Sequence, residues 1–169
     1  MKKILLATAI STMSLASAPS MAYDLNPQNY QTTENTAQTE QVKKAALNYA
    51  KFWDTGKESY ARAALLENFK DLTPPEGRKP GIEGVLEASE GFRKIVPNLH
   101  VEIEHLLIVG EYATIRYRFK GNFTGKMGDI QGSGQNIDFP AVDIYEIHNG
   151  KITKNWHLED YNTFFNQTK

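Results

Sequence analysis

Cysteine is absent from all 169 residues. That excludes a disulfide framework and a lipid-bearing N-terminal cysteine, so whatever this chain folds into is held by its core alone. Basic excess is also missing: 19 Lys and Arg face 20 Asp and Glu, a net charge of −1, with no basic block anywhere. Nucleic acid is therefore not the expected partner. After the N-terminus no apolar run is long enough to span a bilayer. The four histidines, His100, His105, His148 and His157, show no His-x-His or His-Glu-x-x-His spacing, so no metal site is expected. There is no serine nucleophile elbow. The glycine-rich stretch from Gly121 to Gly134 lacks the strand-before, helix-after context of a phosphate cradle and is expected to be a turn or crossover.

What is there begins with an export signal. Lys2-Lys3 precede a short apolar core from Ile4 to Leu15, and Ser20-Met-Ala22 offers a small-x-Ala cleavage site. Residues 1–22 are expected to be a signal peptide, too short for a spanning helix. The location implied is periplasmic or secreted, with no membrane insertion after the cut. Cleavage after Ala22 removes 22 of 169 residues and two lysines, leaving 147 residues and moving the net charge from −1 to −3. That length suits one domain with a sizeable core. Residues 23–39 are rich in Asn, Gln and Thr and read as a flexible polar lead or surface strap; residues 40–169 form the domain.

Val42, Ala45, Ala46, Tyr49, Phe52 and Trp53 recur at helical spacing and predict a helix over 40–55, ended by Gly56. A second helix is expected over 57–68 and a third over 84–96, separated by the loop around Pro74-Pro75. Everything after Asn98 reads as strand: 100–109 with a break at Leu106-Leu107, 112–119, 137–147 and 151–160. Phe164 and Phe165 are expected to pack the tail onto the sheet. Helices followed by consecutive antiparallel strands give an α+β class. The architecture expected is a curved, mostly antiparallel sheet packed on three N-terminal helices, a cone with an apolar pocket.

The last hairpin carries the chemistry. Asn149-Gly150 between alternating apolar runs predicts a type I′ turn, which needs positive φ at both central positions. Asp143 shares strand parity with Phe139, Ala141, Tyr145 and Ile147, so a regular strand points it into the apolar side. A carboxylate there is a general base with a raised pKa, or else a structural acid bonded to Arg, Tyr or backbone donors. Alternation alone places His157 with Thr153, Asn155 and Glu159 on the polar face. Trp156, Leu158 and Asp160 then share the apolar one. Bringing His157 into the pocket requires a bulge or strong coiling near Asn155-Trp156.

Several segments together resemble the SnoaL-like polyketide cyclase group, also called ester cyclases, of the nuclear transport factor-two-like superfamily. They are Phe52-Trp-Asp-Thr-Gly56, Phe69-Lys-Asp71, Gly81-Ile-Glu-Gly84, Pro97 to Glu104, Gly121-Asn-Phe-Thr-Gly125, and Asp143 through the Asn-Gly-Lys-Ile turn to Trp156. The likeness covers roughly Val42 to Asp160. In the cyclases it implies an aldol ring closure without metal or cofactor. There an aspartate on the last strand is the acid/base, and a histidine lies on the strand before it. Aligned through the turn, those positions hold His157 and Asp143 here, an inverted pair. The glycine-rich motif has Phe123 where the family commonly has histidine.

The candidate catalytic set is therefore Asp143 with His157 or Asp160; for Asp160 a strand-end cap is the competing role. Candidate substrate contacts are Trp53, Asp71, Phe92, Tyr117, Phe123 and Trp156. Asp71 is alternatively an Asx turn before the prolines, and the aromatics are alternatively plain core. Three functions fit: proton transfer on a small apolar or aromatic carbonyl compound, the same pocket as a non-catalytic carrier, or a homodimer joined by the outer sheet face with Tyr112, Thr114, Arg116 and Arg118 between chains.

Overall fold

The turn at Asn149-Gly150 has both residues at positive φ, 50° and 71°, and the hairpin it closes is the spine of the molecule. The computed structural model describes residues 25–33 and 36–169; the expected signal peptide and its cleavage site lie outside the described residues. Along the chain come β1 (Asn29–Thr32), α1 (Ala37–Thr55), α2 (Glu58–Ala64), β2 (Leu65–Asp71), α3 (Gly81–Ile95), β3 (His100–Val109) and β4 (Tyr112–Phe123). There follow β5 (Lys126–Met127), β6 (Ile130–Gln131), β7 (Gln135–His148), β8 (Lys151–Glu159) and α4 (Tyr161–Gln167).

Six strands form one curved, unclosed sheet in the order β1-β3-β4-β7-β8-β2, and β5-β6 make a separate small ribbon. The central pairings are antiparallel, while the two edges, β1 on β3 and β2 on β8, are parallel. The expected α+β cone is what the chain forms. The polar lead contributes an edge strand: Asn29–Thr32 pairs with His105–Ile108.

Helix α1 starts on a capping box in which Thr36 and Thr39 satisfy each other's backbone N–H groups. It ends at Gly56, whose φ of 69° suits glycine and whose missing Cβ leaves room for the Arg93 side chain. Arg93 donates to the carbonyl of Trp53 and so ties α3 to the end of α1. Asp54, buried in the same motif, accepts from the Val101 N–H at 2.9 Å and pairs with His100 Nδ1 at 2.7 Å. The Trp-Asp-Thr-Gly motif is thus a joint between α1 and β3.

Three expectations change. Helix two stops at Ala64, and Leu65–Asp71 is a strand on the edge of β8. Lys151 Nζ donates to the carbonyls of Arg62 and Ala63, a cation at a helix C-terminus, while Leu65 and Phe69 bury into the core. Sheet pairing overrides local helical spacing there. The irregularity in β3 falls at Glu104, between the pairs Ile103–Tyr117 and His105–Arg116, and not at Leu106-Leu107. The tail after β8 is the helix α4 and not strand, opened by Asp160, which accepts from the Thr163 N–H and hydroxyl; Phe164 packs as expected, whereas Phe165 is exposed. Phe164 is buried against Phe92, Phe123 and Phe139, and the Gln167 amide bonds both the N–H and the carbonyl of Asp138.

The decisive irregularity is in β8. Glu146 pairs with Lys154, but Ile147 pairs with Ile152, so Thr153 is an extra residue with no partner. Its hydroxyl donates to the Glu146 carbonyl at 3.0 Å and holds the bulge. Because side chains alternate, one inserted residue moves everything beyond it to the other face. Ile152 before the bulge and Asn155 after it are therefore both buried, while Trp156 faces out beside Ile144. Deleting Thr153 should reverse the faces of residues 154–159, driving Trp156 and Leu158 inward; loss of cooperative thermal unfolding is the expected result. Thr153→Ala keeps the residue count and should cost only about 1 kcal/mol, measured by urea unfolding.

Candidate functional site

Inside the cone lies a cavity of about 240 Å³, lined by Tyr49 and Trp53 of α1, Arg78 of the β2–α3 loop, and Ala88, Gly91, Phe92 and Ile95 of α3. The sheet side supplies Tyr117, Phe119, Phe139, Asp143, Asn155, His157 and Glu159, and α4 supplies Tyr161. Helix α3 makes the space: it presents Ala88 and Gly91, and a Cβ at Gly91 would meet no atom within 4 Å. Opposite it the walls are aromatic. Trp53 packs edge-on against Phe119, and Phe119 stacks on Phe139.

The polar groups gather on β7, β8 and β2. Asp143 and His157 are directly opposed across β7 and β8, as are Tyr145 and Asn155, and Asp71 of β2 is in register with Asn155. Asp143 is 5% exposed. Both of its hydrogen bonds fall on Oδ2, from the Tyr145 hydroxyl at 3.0 Å and Asn155 Nδ2 at 3.2 Å. Since Tyr145 spends its proton on Asp143, the 2.7 Å contact between Tyr117 and Tyr145 has Tyr117 as donor. One carboxylate oxygen is thus held by a chain of donors, and Oδ1 remains for a ligand. Burial pushes the Asp143 carboxyl up to about 7, against the opposing pull of the His157 charge. Burial likewise pushes the Tyr117 and Tyr145 hydroxyls well above the ordinary phenol range.

His157 is clamped. Nδ1 lies 2.8 Å from Glu159 Oε1, and Nε2 lies 3.1 Å from both oxygens of Asp71. Two carboxylate acceptors require two N–H donors, so the ring is an imidazolium. Burial would lower its pKa, but the bonds to Asp71 and Glu159 prevail and carry it to about 10. Asp71 is in turn fixed by the Thr73 N–H at 3.0 Å and by Arg78 Nη1 at 3.2 Å. Its carboxyl is desolvated, yet the His157 contact holds it below the ordinary aspartate value. Thr73 also bonds the His157 backbone on both sides.

Among the candidate residues, Asp143, His157, Trp53, Phe92 and Tyr117 meet at the cavity. Asp71 does not line it; it combines its Asx-turn bond to Thr73 with the grip on His157. Phe123 lies behind the wall against Phe164. Trp156 is on the outer face and Asp160 caps α4, so neither reaches the cavity. Sequence reasoning missed Arg78, Asn155, Glu159 and Tyr161. The first sits in a loop defined only by its prolines, and the next two follow the bulge. Among the described residues no cluster of His, Asp and Glu is arranged to hold a metal ion, and no helix is long and apolar enough to cross a membrane.

Compared with known sequence families, residues 43–168 match the SnoaL-like polyketide cyclases. The chain belongs to that family. A candidate polyketide cyclase from Bacillus cereus ATCC 10987 shares 41% identity over 85% of this chain and 91% of its own, with a TM-score of 0.75. TsrD from Streptomyces laurentii (21% identity, 80% and 98% coverage, TM-score 0.70) is similar in fold. So is a candidate SnoaL-like polyketide cyclase from Jannaschia sp. CCS1 (16%, 80% and 96%, 0.70). Among curated proteins none matches significantly. This SnoaL-like chain thus has the family cone with an acid–imidazolium pair opposed across its last two strands.

The buried acid has a consequence for stability. A carboxyl raised on folding binds its proton more tightly in the folded chain, so its contribution falls as pH climbs from about 4 to about 7. His157, also raised, contributes fully below its ordinary 6.5 and loses that contribution as pH rises through about 10. Asp71, lowered, contributes above the ordinary aspartate value and loses it as pH falls through its folded value. Asp143→Asn keeps an acceptor for Tyr145 and Asn155 while removing the buried charge. At pH 8 the variant should be more stable than the wild type by on the order of 1–3 kcal/mol. At pH 4 the gain should vanish; denaturant unfolding at both pH values checks this.

Proposed function

We propose that this SnoaL-like protein binds a small, largely apolar carbonyl compound and catalyses cofactor-independent proton transfer on it, with Asp143 as the base. The observation that carries this reading is the state of Asp143. It is a buried carboxyl in the wall of an aromatic cavity, held through one oxygen, and poised near neutral pH by desolvation. Structural carboxylates are normally neutralised by a direct cation; this one is supported by neutral donors, and the nearest fixed cation is already engaged by two other acids.

In this reading Asp143 takes a proton from carbon adjacent to the carbonyl and returns it elsewhere on the same face. Asn155 Oδ1 is buried with no hydrogen-bond partner among the described residues, while its Nδ2 holds Asp143 Oδ2 and leaves Asp143 Oδ1 to take the proton. His157 does not exchange protons, because both of its N–H groups are engaged. It supplies a fixed positive charge that eases ionisation of Asp143. The aromatic walls exclude water and favour a flat substrate. A cavity of about 240 Å³ falls below the roughly 300–1,000 Å³ of drug-sized pockets, which favours a compound of one or two rings.

A probe of the base is 5-nitrobenzisoxazole, a neutral bicycle of suitable size. Removal of its C3 hydrogen forms the nitrile as the N–O bond breaks, releasing a coloured cyanonitrophenolate. The protein should accelerate this elimination with a rate that rises through pH 7 and then levels. Asp143→Asn should lose roughly 10²-fold or more. A folded wild type with no rate above buffer would remove the base and leave the carrier reading.

Export and self-association belong to the same proposal. The basic-apolar N-terminus and Ala22 site support a periplasmic or secreted protein. The outer sheet face supports a homodimer: Leu107, Thr114, Ile144 and Trp156 form one row across four strands, and Val142 pairs with Leu158, which is 76% exposed. Native mass spectrometry of protein purified from its own host should give a dimer of chains beginning at Tyr23. A monomer beginning at Met1 would overturn both points.

A further inference from the structure

Proton abstraction next to a carbonyl leaves negative charge on oxygen, and that oxygen needs a donor. The cavity wall holds two cations, Arg78 and His157. His157 has no spare N–H, since both ring nitrogens are bonded to Glu159 and Asp71. Arg78 differs. Its Nη1 is bonded to Asp71, while Nε and Nη2 have no bond among the described residues. A guanidinium carries five N–H donors in a rigid plane, so anchoring one nitrogen orients the others. Its side chain is 17% exposed, enough to be reached from the cavity and too little to swing freely in solvent. Tyr161 lines the same wall, its ring stacked on Phe139, and no protein group takes its hydroxyl proton among the described residues.

The geometry points to Arg78, assisted by the Tyr161 hydroxyl, as the oxyanion site of this cavity, so that the substrate class is a compound whose carbonyl or phenolic oxygen becomes an enolate or phenolate when bound. This rests on the proton-transfer reading and adds the residue that receives the charge. The balance is closed: the C–H electron pair moves into the enolate, its proton goes to Asp143 Oδ1, and the negative charge passes from Asp143 to the substrate oxygen. The groups facing Arg78 are Asp71, which anchors it, Glu159, engaged by His157, and Asp143, which becomes neutral as the oxyanion forms. With Asp143 ionised, Arg78, His157, Asp71, Glu159 and Asp143 carry a net −1, so the wild-type site resists an anion from solution; once Asp143 is neutral, by taking the substrate proton or in Asp143→Asn, that repulsion is gone and Arg78 can hold an oxyanion.

The test uses 4-nitrophenol and the full-length Asp143→Asn protein, which lacks the base, so its result is separate from the 5-nitrobenzisoxazole result. Absorbance reports how much of the bound phenol is ionised at each pH. Bound 4-nitrophenol should ionise at least one pH unit below the free compound, a tenfold bias toward phenolate. Adding Arg78→Met should abolish that bias, Arg78→Lys should keep part of it, and Tyr161→Phe should reduce it about threefold; circular dichroism checks that each variant is folded. Ionisation of the bound phenol at or above the solution midpoint overturns the assignment. So does a shift that survives Arg78→Met, or no binding of 4-nitrophenolate at millimolar concentration.

Discussion

The unpaired Thr153 sets the composition of the cavity. A strand that starts with an apolar residue facing the core would, by strict alternation, continue to offer Trp156 and Leu158 to it, and the cone would fill with hydrocarbon. The bulge instead turns Asn155, His157 and Glu159 inward. Those polar groups are tolerable only because partners await them: Asp143 for the amide, Asp71 and Glu159 for the ring. The edge strand β2 has to exist for the same reason, since its register sets Asp71 beside β8. One inserted residue and one parallel edge strand are thus parts of a single arrangement.

Electrostatics then separates two groups that look alike on paper as an acid–base pair. His157 between two carboxylates is a permanent cation, and Asp143 among neutral donors is the group that titrates near neutrality. Asp71 and Glu159 together hold the imidazolium against burial, and that charge in turn is the attraction that keeps the ionised form of Asp143 within reach. The division of labour follows from which acid sits on which strand, and it survives the exchange of Asp and His relative to the pattern the family resemblance implies.

Much of the fold was legible because its signals are local. The helical spacing of Val42 to Trp53 and the Asn-Gly turn depend on neighbours in sequence, and the parity of Asp143 depends on an unbroken strand. The misreadings share one cause. Leu65–Asp71 has helical spacing but is claimed by β8, and α4 is recruited because β7 outruns β8 and leaves the Asp138 backbone to be satisfied by Gln167. The need for a bulge in the last strand was readable, from the conflict between alternation and resemblance at His157. Its place at Thr153 was not, since a threonine in a strand carries no mark of being unpaired. Arg78 was invisible for a similar reason: nothing in a proline-rich loop says where it will fold back.

The cost of the arrangement also argues about its purpose. Replacing Asp143 by an amide would satisfy Tyr145 and Asn155 equally well without desolvating a charge, so structural economy alone does not explain the acid. The same holds for Ala88 and Gly91, where larger apolar side chains would fill the space. A cavity lined by small residues on α3 and an acid pushed toward neutrality in its wall both support the proposal of a ligand that removes both penalties at once. The flat carbonyl compound we propose would do so: its rings would occupy the volume against Phe119 and Phe139, its proton would neutralise Asp143, and the charge left behind would meet Arg78.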